Sequence, residues 1–252
     1  MLIKEMLIKL PEDINDLYFC GDIHGNLDYL KYFINTGVGF PQKISNSCIV
    51  LCGDVGLGFS PDLESMKISF LNKLCEKTNN YIIAIRGNHD NPLFFDSNYY
   101  FKRFKAVEDY SVIQYKDKNI LCIGGGTSID RIYRKNNKWG YWEDEKIVEL
   151  DNFDPIPYCQ IIASHCAPTC AYPYGIGKLV MEFCDGDDSL LEELLWERNY
   201  LQTCYEEMSK KGPVEDWYYG YYHSTMDTTV DNTRFHLLGI NYLSRYCYND
   251  YN

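Results

Sequence analysis

Short runs that are apolar at nearly every position punctuate the chain, each closed by glycine or a polar residue. Residues 17–20, 48–52, 81–85, 112–115, 120–123, 160–163, 217–219 and 235–240 read as strands. The runs at 112–115 and 120–123 predict a hairpin around 116–119.

Helical periodicity lies between these runs. Residues 27–34 predict a helix with Asn26 as its cap. Ser60, Pro61 and Asp62 open another that reaches Lys77, with Leu63, Met66, Phe70, Leu71 and Leu74 on one face. A longer helix over 189–210 carries an apolar stripe of Leu190, Leu191, Leu194, Leu195, Leu201 and Met208. Ser189 and Glu192 fit a capping box at its start, and Gly212-Pro213 ends it. Strands alternating with helices predict an α/β fold. Residues 170–215, loop-like and then helical, read as an inserted helical lobe in a single domain spanning 1–252. The polar and aromatic residues 246–252 are expected to fray.

Composition narrows the class. With 46% hydrophobic and 24% charged residues over 252 positions, the chain suits a globular domain with a sizeable core. No apolar run approaches the roughly 18 residues of a membrane span. The first nine residues, apolar but broken by charge, do not form a signal peptide, so a cytoplasmic location and no membrane are expected. The echo of Met-Leu-Ile-Lys at 1–4 and 6–9 is too brief for a repeat architecture. Eleven cysteines, an odd number without a Cys-x-x-Cys pair, do not make a disulfide framework. Cys48, Cys122 and Cys159 read as small hydrophobes, while Cys166 and Cys170 adjoin a candidate metal ligand. The net charge of −12 argues against gripping long nucleic acid, but not against a small phosphorylated substrate if divalent cations supply the positive charge.

The placement of rare polar residues carries the chemistry. Of five histidines, His24, His89, His165 and His223 each fall shortly after a strand-like run, as do Asp22, Asp54 and Asn88. In open α/β sheets ligands gather beyond the carboxyl ends of strands. Glycine precedes Asp22, Asp54 and Asn88, which suits a sharp turn. Asp22 and His24 are two apart and face one way if the loop is extended. Mixed His, Asp and Asn donors suit a borderline divalent ion, and a carboxylate bridging two such ions would make a hydrolytic centre.

At these residues the chain resembles the calcineurin-like metallophosphoesterases. The motifs are Asp22-x-His24, Gly53-Asp54, Gly87-Asn88-His89-Asp90, His165, and Gly220-Tyr221-Tyr222-His223. The stretches Gly124–Arg131, 139–145 and 216–223 are similar to small bacterial and phage members. The resemblance implies a four-layer α/β/β/α sandwich and metal-dependent hydrolysis of a phosphate ester by water activated between two divalent ions. Manganese is the leading candidate, with Fe, Zn, Co or Ni as alternatives. It implies that Asp22, His24 and His223 hold the first ion, Asp54 bridges, and Asn88 and His165 hold the second. His89 would stabilise charge or give a proton at the reacting oxygen, and Arg86 would grip phosphate.

Two positions depart from the family pattern. Tyr221 stands where a histidine ligand is usual, and Leu57 where the protein phosphatases place an aspartate. Tyr221 leaves three outcomes open: a weak second site, a phenolate ligand, or a nearly inactive protein kept as a metal-binding module. The Gly124–Gly126 run lacks the ending of a phosphate loop and reads as a turn after a strand. Arg131 and Arg134 behind it are candidates to flank the substrate. Tyr218, Tyr219, Tyr221 and Tyr222, among 23 tyrosines, could wall a pocket, which makes a nucleotide one candidate substrate.

Overall fold

Successive side chains of a strand point to opposite faces, and in this chain both sets are apolar. Leu17 and Phe19 belong to one core cluster while Tyr18 and Cys20 belong to another; Cys48, Val50 and Ile49, Leu51 divide the same way. Such strands need a cover on each side, and the architecture supplies it. A computed structural model of the chain describes residues 7–37, 43–59, 61–96, 101–137 and 140–248.

Among these residues the strands are β1 (Leu7–Lys9), β2 (Asp16–Cys20), β3 (Ser47–Cys52), β4 (Tyr81–Ile85), β5 (Phe104–Ala106), β6 (Val112–Tyr115), β7 (Lys118–Ile123), β8 (Ile161–Ser164), β9 (Asp216–Tyr219), β10 (Met226–Val230), β11 (Thr233–Leu237) and β12 (Leu243–Arg245). The helices are α1 (Leu27–Thr36), α2 (Pro61–Thr78), α3 (Arg131–Asn137), α4 (Lys178–Cys184) and α5 (Leu190–Lys211). One sheet runs β12-β2-β3-β4-β5 and the other β1-β6-β7-β8-β9-β11-β10. The pairings β2–β3, β3–β4, β7–β8 and β8–β9 are all parallel.

Three apolar clusters cement four layers. The first fills the space between α1, α2 and the smaller sheet, through Leu30, Ile34, Ile68 and Leu71 against Ile49 and Leu51. The second lies between the sheets, where Phe19 stacks on Tyr218 with centroids 3.8 Å apart and planes 6° from parallel. The third joins the larger sheet to α5, through Trp217 and Phe235 against Leu201, Cys204 and Met208. The expected α/β/β/α sandwich is therefore the observed fold.

Several local expectations are corrected. On α2 the buried side is Ile68, Leu71 and Cys75, whereas Leu63, Met66 and Phe70 are exposed. The polar Glu64 is buried instead, because it accepts the Gly58 N–H at 2.7 Å. Asn26 makes no side-chain cap; its own N–H closes a turn onto the Ile23 carbonyl. Ser189 does not cap α5 either, since its hydroxyl accepts from Arg131 at 2.9 Å. Leu195 is exposed rather than part of the apolar stripe. The helix α5 forms the fourth layer of the sandwich; within 170–215, α4 is the element with no buried residue. The hairpin turn is shorter than expected, because β7 already starts at Lys118. Ser60, residues 1–6, Trp139 and the end of the chain from 249 lie outside the described residues, so the expectations placed on them do too.

Candidate metal centre

Five loops leave the carboxyl ends of five strands along one edge of the sandwich. Asp22 and His24 follow β2, Asp54 follows β3, and Asn88 with His89 follows β4, all in the smaller sheet. His165 follows β8 and His223 follows β9 in the larger one. Ligand atoms of Asp22, His24, Asp54 and His223 lie within 4.8 Å of one another. His223 Nε2 is 3.1 Å from Asp22 Oδ2 and 3.1 Å from His24 Nε2, and His24 Nδ1 is 3.8 Å from Asp54 Oδ2.

A second group meets the other oxygen of Asp54. His165 Nε2 lies 3.3 Å from Asp54 Oδ1 and 2.8 Å from Asn88 Oδ1. His165 Nδ1 is 3.0 Å from the Cys52 carbonyl, which can only accept, so Nδ1 carries a proton. Its Nε2 faces two further oxygens, Asp54 Oδ1 and Asn88 Oδ1. Asp22 Oδ2 is buried and receives no well-directed hydrogen bond. Converging lone pairs and an orphaned buried carboxylate oxygen are what a cation would satisfy, so these residues fit a metal.

The loops that aim these groups are strained and tightly packed. His24, Asp54 and His223 have φ of 43°, 46° and 51°. Left-handed backbone at non-glycine residues costs about 1–3 kcal/mol each and persists only where surroundings enforce it. Here His24 N–H donates to the Asp54 carbonyl at 2.8 Å, and Tyr221 N–H to Asp22 Oδ1 at 3.1 Å. Gly53 has φ of 91°, and a Cβ there would fall inside the His165 ring. Gly87 and Gly220 do not have positive φ; they are small because Asp54 and Asp22 oxygens press against them. Close approach, more than a sharp turn, explains most of the glycines that precede the site.

Asp90 organises the region, a role the sequence reading did not assign. This fully buried carboxylate accepts from Val55, Gly56, Leu57 and Gly87 N–H at 3.1, 2.6, 2.9 and 2.8 Å. It thereby ties the loop after β3 to the loop after β4. Ser128 and Glu145 are the other missed residues. Asn88 Nδ2 donates to Ser128 Oγ at 2.7 Å, Ser128 Oγ donates to Glu145 Oε2 at 2.9 Å, and Arg134 holds that oxygen at 3.1 Å. This chain turns Asn88 Oδ1 toward His165. The only signal was that both stretches resemble the family, which gave no role to either residue.

Electrostatics follow from burial. Burial raises the Asp54 carboxyl well above the usual range, and the charges of Asp22 and Asp90 add to it. Burial pushes Asp22 the same way, but the close approach of His223 and the nearby His165 leave it below that range. Of the two carboxyls, Asp54 is therefore the harder to ionise. Burial, with Arg134 and the neighbouring histidines, pushes His89 down to about 3. Its neutral ring sits with Nε2 3.9 Å from Asp54 Oδ2, and Trp142 Nε1 donates to its carbonyl at 3.3 Å.

Three arginines do not serve as expected. Arg86 is buried, and its terminal nitrogens donate to Asp109 Oδ2 and the carbonyls of Asp144, Glu145 and Lys146. It is a strut between loops, not a phosphate grip. Arg134 is fully buried against Asp130, Glu145 and Gly140, and Arg131 is held by Asp187, Glu193 and Ser189. Tyr221 reaches the site edge: its ring meets His165 edge-on at 5.3 Å, but its hydroxyl donates to the Thr127 carbonyl at 2.6 Å. Burial raises that phenol well above its ordinary value, which disfavours a phenolate ligand. Burial likewise raises the Cys166 thiol well above 9, so it is a packed side chain.

The family model described as calcineurin-like phosphoesterase matches residues 16–192. No curated protein matches the chain. Among solved structures it is similar to phosphopantetheinyl hydrolase from Mycobacterium tuberculosis, at 13% identity over 94% of this chain and 97% of that one, with a TM-score of 0.43. It is similar also to a putative 5′-nucleotidase from Staphylococcus aureus, at 13% identity over 91% of this chain and 50% of that one, with a TM-score of 0.48. Likenesses this distant bear on no substrate.

Proposed function

Because the chain belongs to the calcineurin-like phosphoesterase family, we propose that it hydrolyses a small phosphate ester with two divalent cations, manganese first among them. One observation carries the two-ion reading: the two oxygens of Asp54 face two different donor groups. Asp22, His24 and His223 would hold one ion and Asn88 and His165 the other, with Asp54 between. Bound there, the ions would supply a water acidic enough to act as nucleophile at neutral pH and positive charge for the phosphoryl oxygens.

The chain's own residues do the rest. Strained backbone fixes Asp54 and His24 before any substrate arrives, so little reorganisation is needed. Asn88 is held in one orientation by Ser128. The neutral His89, partly open to solvent, can donate a hydrogen bond to an oxygen that gains charge. Free cysteines throughout the chain fit a reducing compartment, and we place the protein in the cytoplasm.

Tyr221 favours a second reading, a metal-binding protein with little turnover. With its hydroxyl engaged at Thr127, the second group has Asp54, Asn88 and His165 alone. The test is an assay of metal-stripped protein on an aryl phosphate monoester and a diester, with manganese added back stepwise, beside Asp54→Asn. Metal-dependent turnover that Asp54→Asn abolishes supports hydrolysis, and the preferred ester gives its class. Bound metal without turnover at any concentration overturns it in favour of the second reading.

A further inference from the structure

A cavity of about 550 Å³ opens directly from the candidate metal centre, with Asp54, Asn88 and His223 on its floor. Its far wall is apolar and comes from α4 and α5: Leu179, Val180, Phe183 and Leu194. Arg198 of α5 lines the same space and is 9% exposed. Unlike Arg86, Arg131 and Arg134, it has no hydrogen bond or ion pair among the described residues. Its Nε is buried without a partner, and its guanidinium carbon rests 3.1 Å from the centre of the Tyr172 ring. The buried Tyr222 hydroxyl, on the same lining, also lacks a partner. The nearby carboxylates are engaged elsewhere: Asp130 with Arg134, and Glu197 with the Thr127 N–H.

A guanidinium withdrawn from water without an anion is costly, and a stacked ring offsets only part of that. An anion in the cavity would meet the guanidinium and offset that cost. We propose that Arg198 anchors an anionic oxygen of the substrate while the α4 wall receives its organic part, so that the substrate is a phosphoester bearing an apolar or aromatic group. This rests on the phosphoesterase reading of the adjoining centre. The anion is either the reacting phosphoryl group or a second acidic group on the same molecule. Arg198 lines one cavity with Asp54, Asn88 and His223, so both cases are open to test.

The experiment compares manganese-loaded wild type, Arg198→Gln and Arg198→Lys on p-nitrophenyl phosphate, with one acidic group, and adenosine 5′-diphosphate, with two. The expected result is a KM raised tenfold or more in Arg198→Gln, partly recovered in Arg198→Lys, with the effect on KM rather than kcat. A loss on both compounds identifies the reacting phosphoryl group as the anion; a loss on the diphosphate alone identifies the second group. If wild type turns over neither compound, calorimetric binding of both to the same three proteins carries the test, so a failed activity and a failed anchor are told apart. Unchanged KM and affinity in a folded Arg198→Gln, or a loss confined to kcat or to melting temperature, overturns the proposal.

Discussion

The Tyr221 hydroxyl donates to the Thr127 carbonyl at 2.6 Å, and that bond turns the phenol away from the lone pairs of Asn88 and His165. Tyr221→His frees the position for an imidazole. The expected outcome is tighter binding of a second manganese ion, by about tenfold or ~1.4 kcal/mol, with a rise in turnover. Metal titration by calorimetry checks it; unchanged stoichiometry and affinity would show that the backbone at 221 cannot present a ligand.

Ser128 acts on the same group from behind. Ser128→Ala removes the acceptor that orients the Asn88 amide. Second-site metal affinity should fall on the order of 10–100-fold, while the first site, which shares no bond with Ser128, keeps its affinity. Titration at both sites in one experiment separates this from general unfolding.

Asp90→Asn should destabilise the fold by about 3 kcal/mol or more, because charge-assisted bonds to buried N–H groups are worth roughly 1.5–3 kcal/mol each. An amide offers one acceptor oxygen where four N–H groups converge. Urea unfolding of the metal-free protein reads the loss. A midpoint within error of wild type would contradict the role of Asp90 as the tie between the two loops.

Glu197 gives the pH dependence a sign. Burial raises its carboxyl to about 7, against 4.5 for a free glutamate. Between those values the folded chain holds a proton that the unfolded chain has released. Stability contributed by this group therefore falls as pH rises from 4.5 to about 7 and is level above. The loss is on the order of 3 kcal/mol. Glu197→Gln should abolish it, so metal-free wild type and variant converge in unfolding free energy near pH 4.5 and separate by pH 8. Parallel pH profiles would refute the assignment.

Much of this fold can be read along the chain because its central strands are covered on both faces. Residues 81–85, and 112–115 apart from Gln114, are runs of apolar and aromatic residues that match β4 and β6 end to end. The convergence of the candidate ligands was legible for a related reason, since a polar residue just past a buried strand has one edge to occupy. The short strands β1, β5, β10 and β12 lie at sheet ends or carry mixed residues, so no pattern marks them. The buried side of α2 was misread because Leu63, Met66 and Phe70 are as apolar as Ile68 and Cys75, and only packing chooses between them. Arg86 was misread because a sequence states which residue stands beside a site, not which way it points. Arg198 carried no motif at all; its significance lies in its place on the cavity lining and in partners that the described residues do not supply.

The candidate ligands come from two sheets: Asp22, His24, Asp54 and Asn88 from one, His165 and His223 from the other. The sheets share side chains across a greasy seam but, among the described residues, no ladder of backbone bonds. An ion gripped by both would rivet that seam at one rim. Its removal would leave the Tyr221–Asp22 and His165–Cys52 bonds as ties across that rim, and the sheets would part there more readily. Metal loading would then govern the lifetime of the folded protein against proteases and heat, beyond any part it has in turnover.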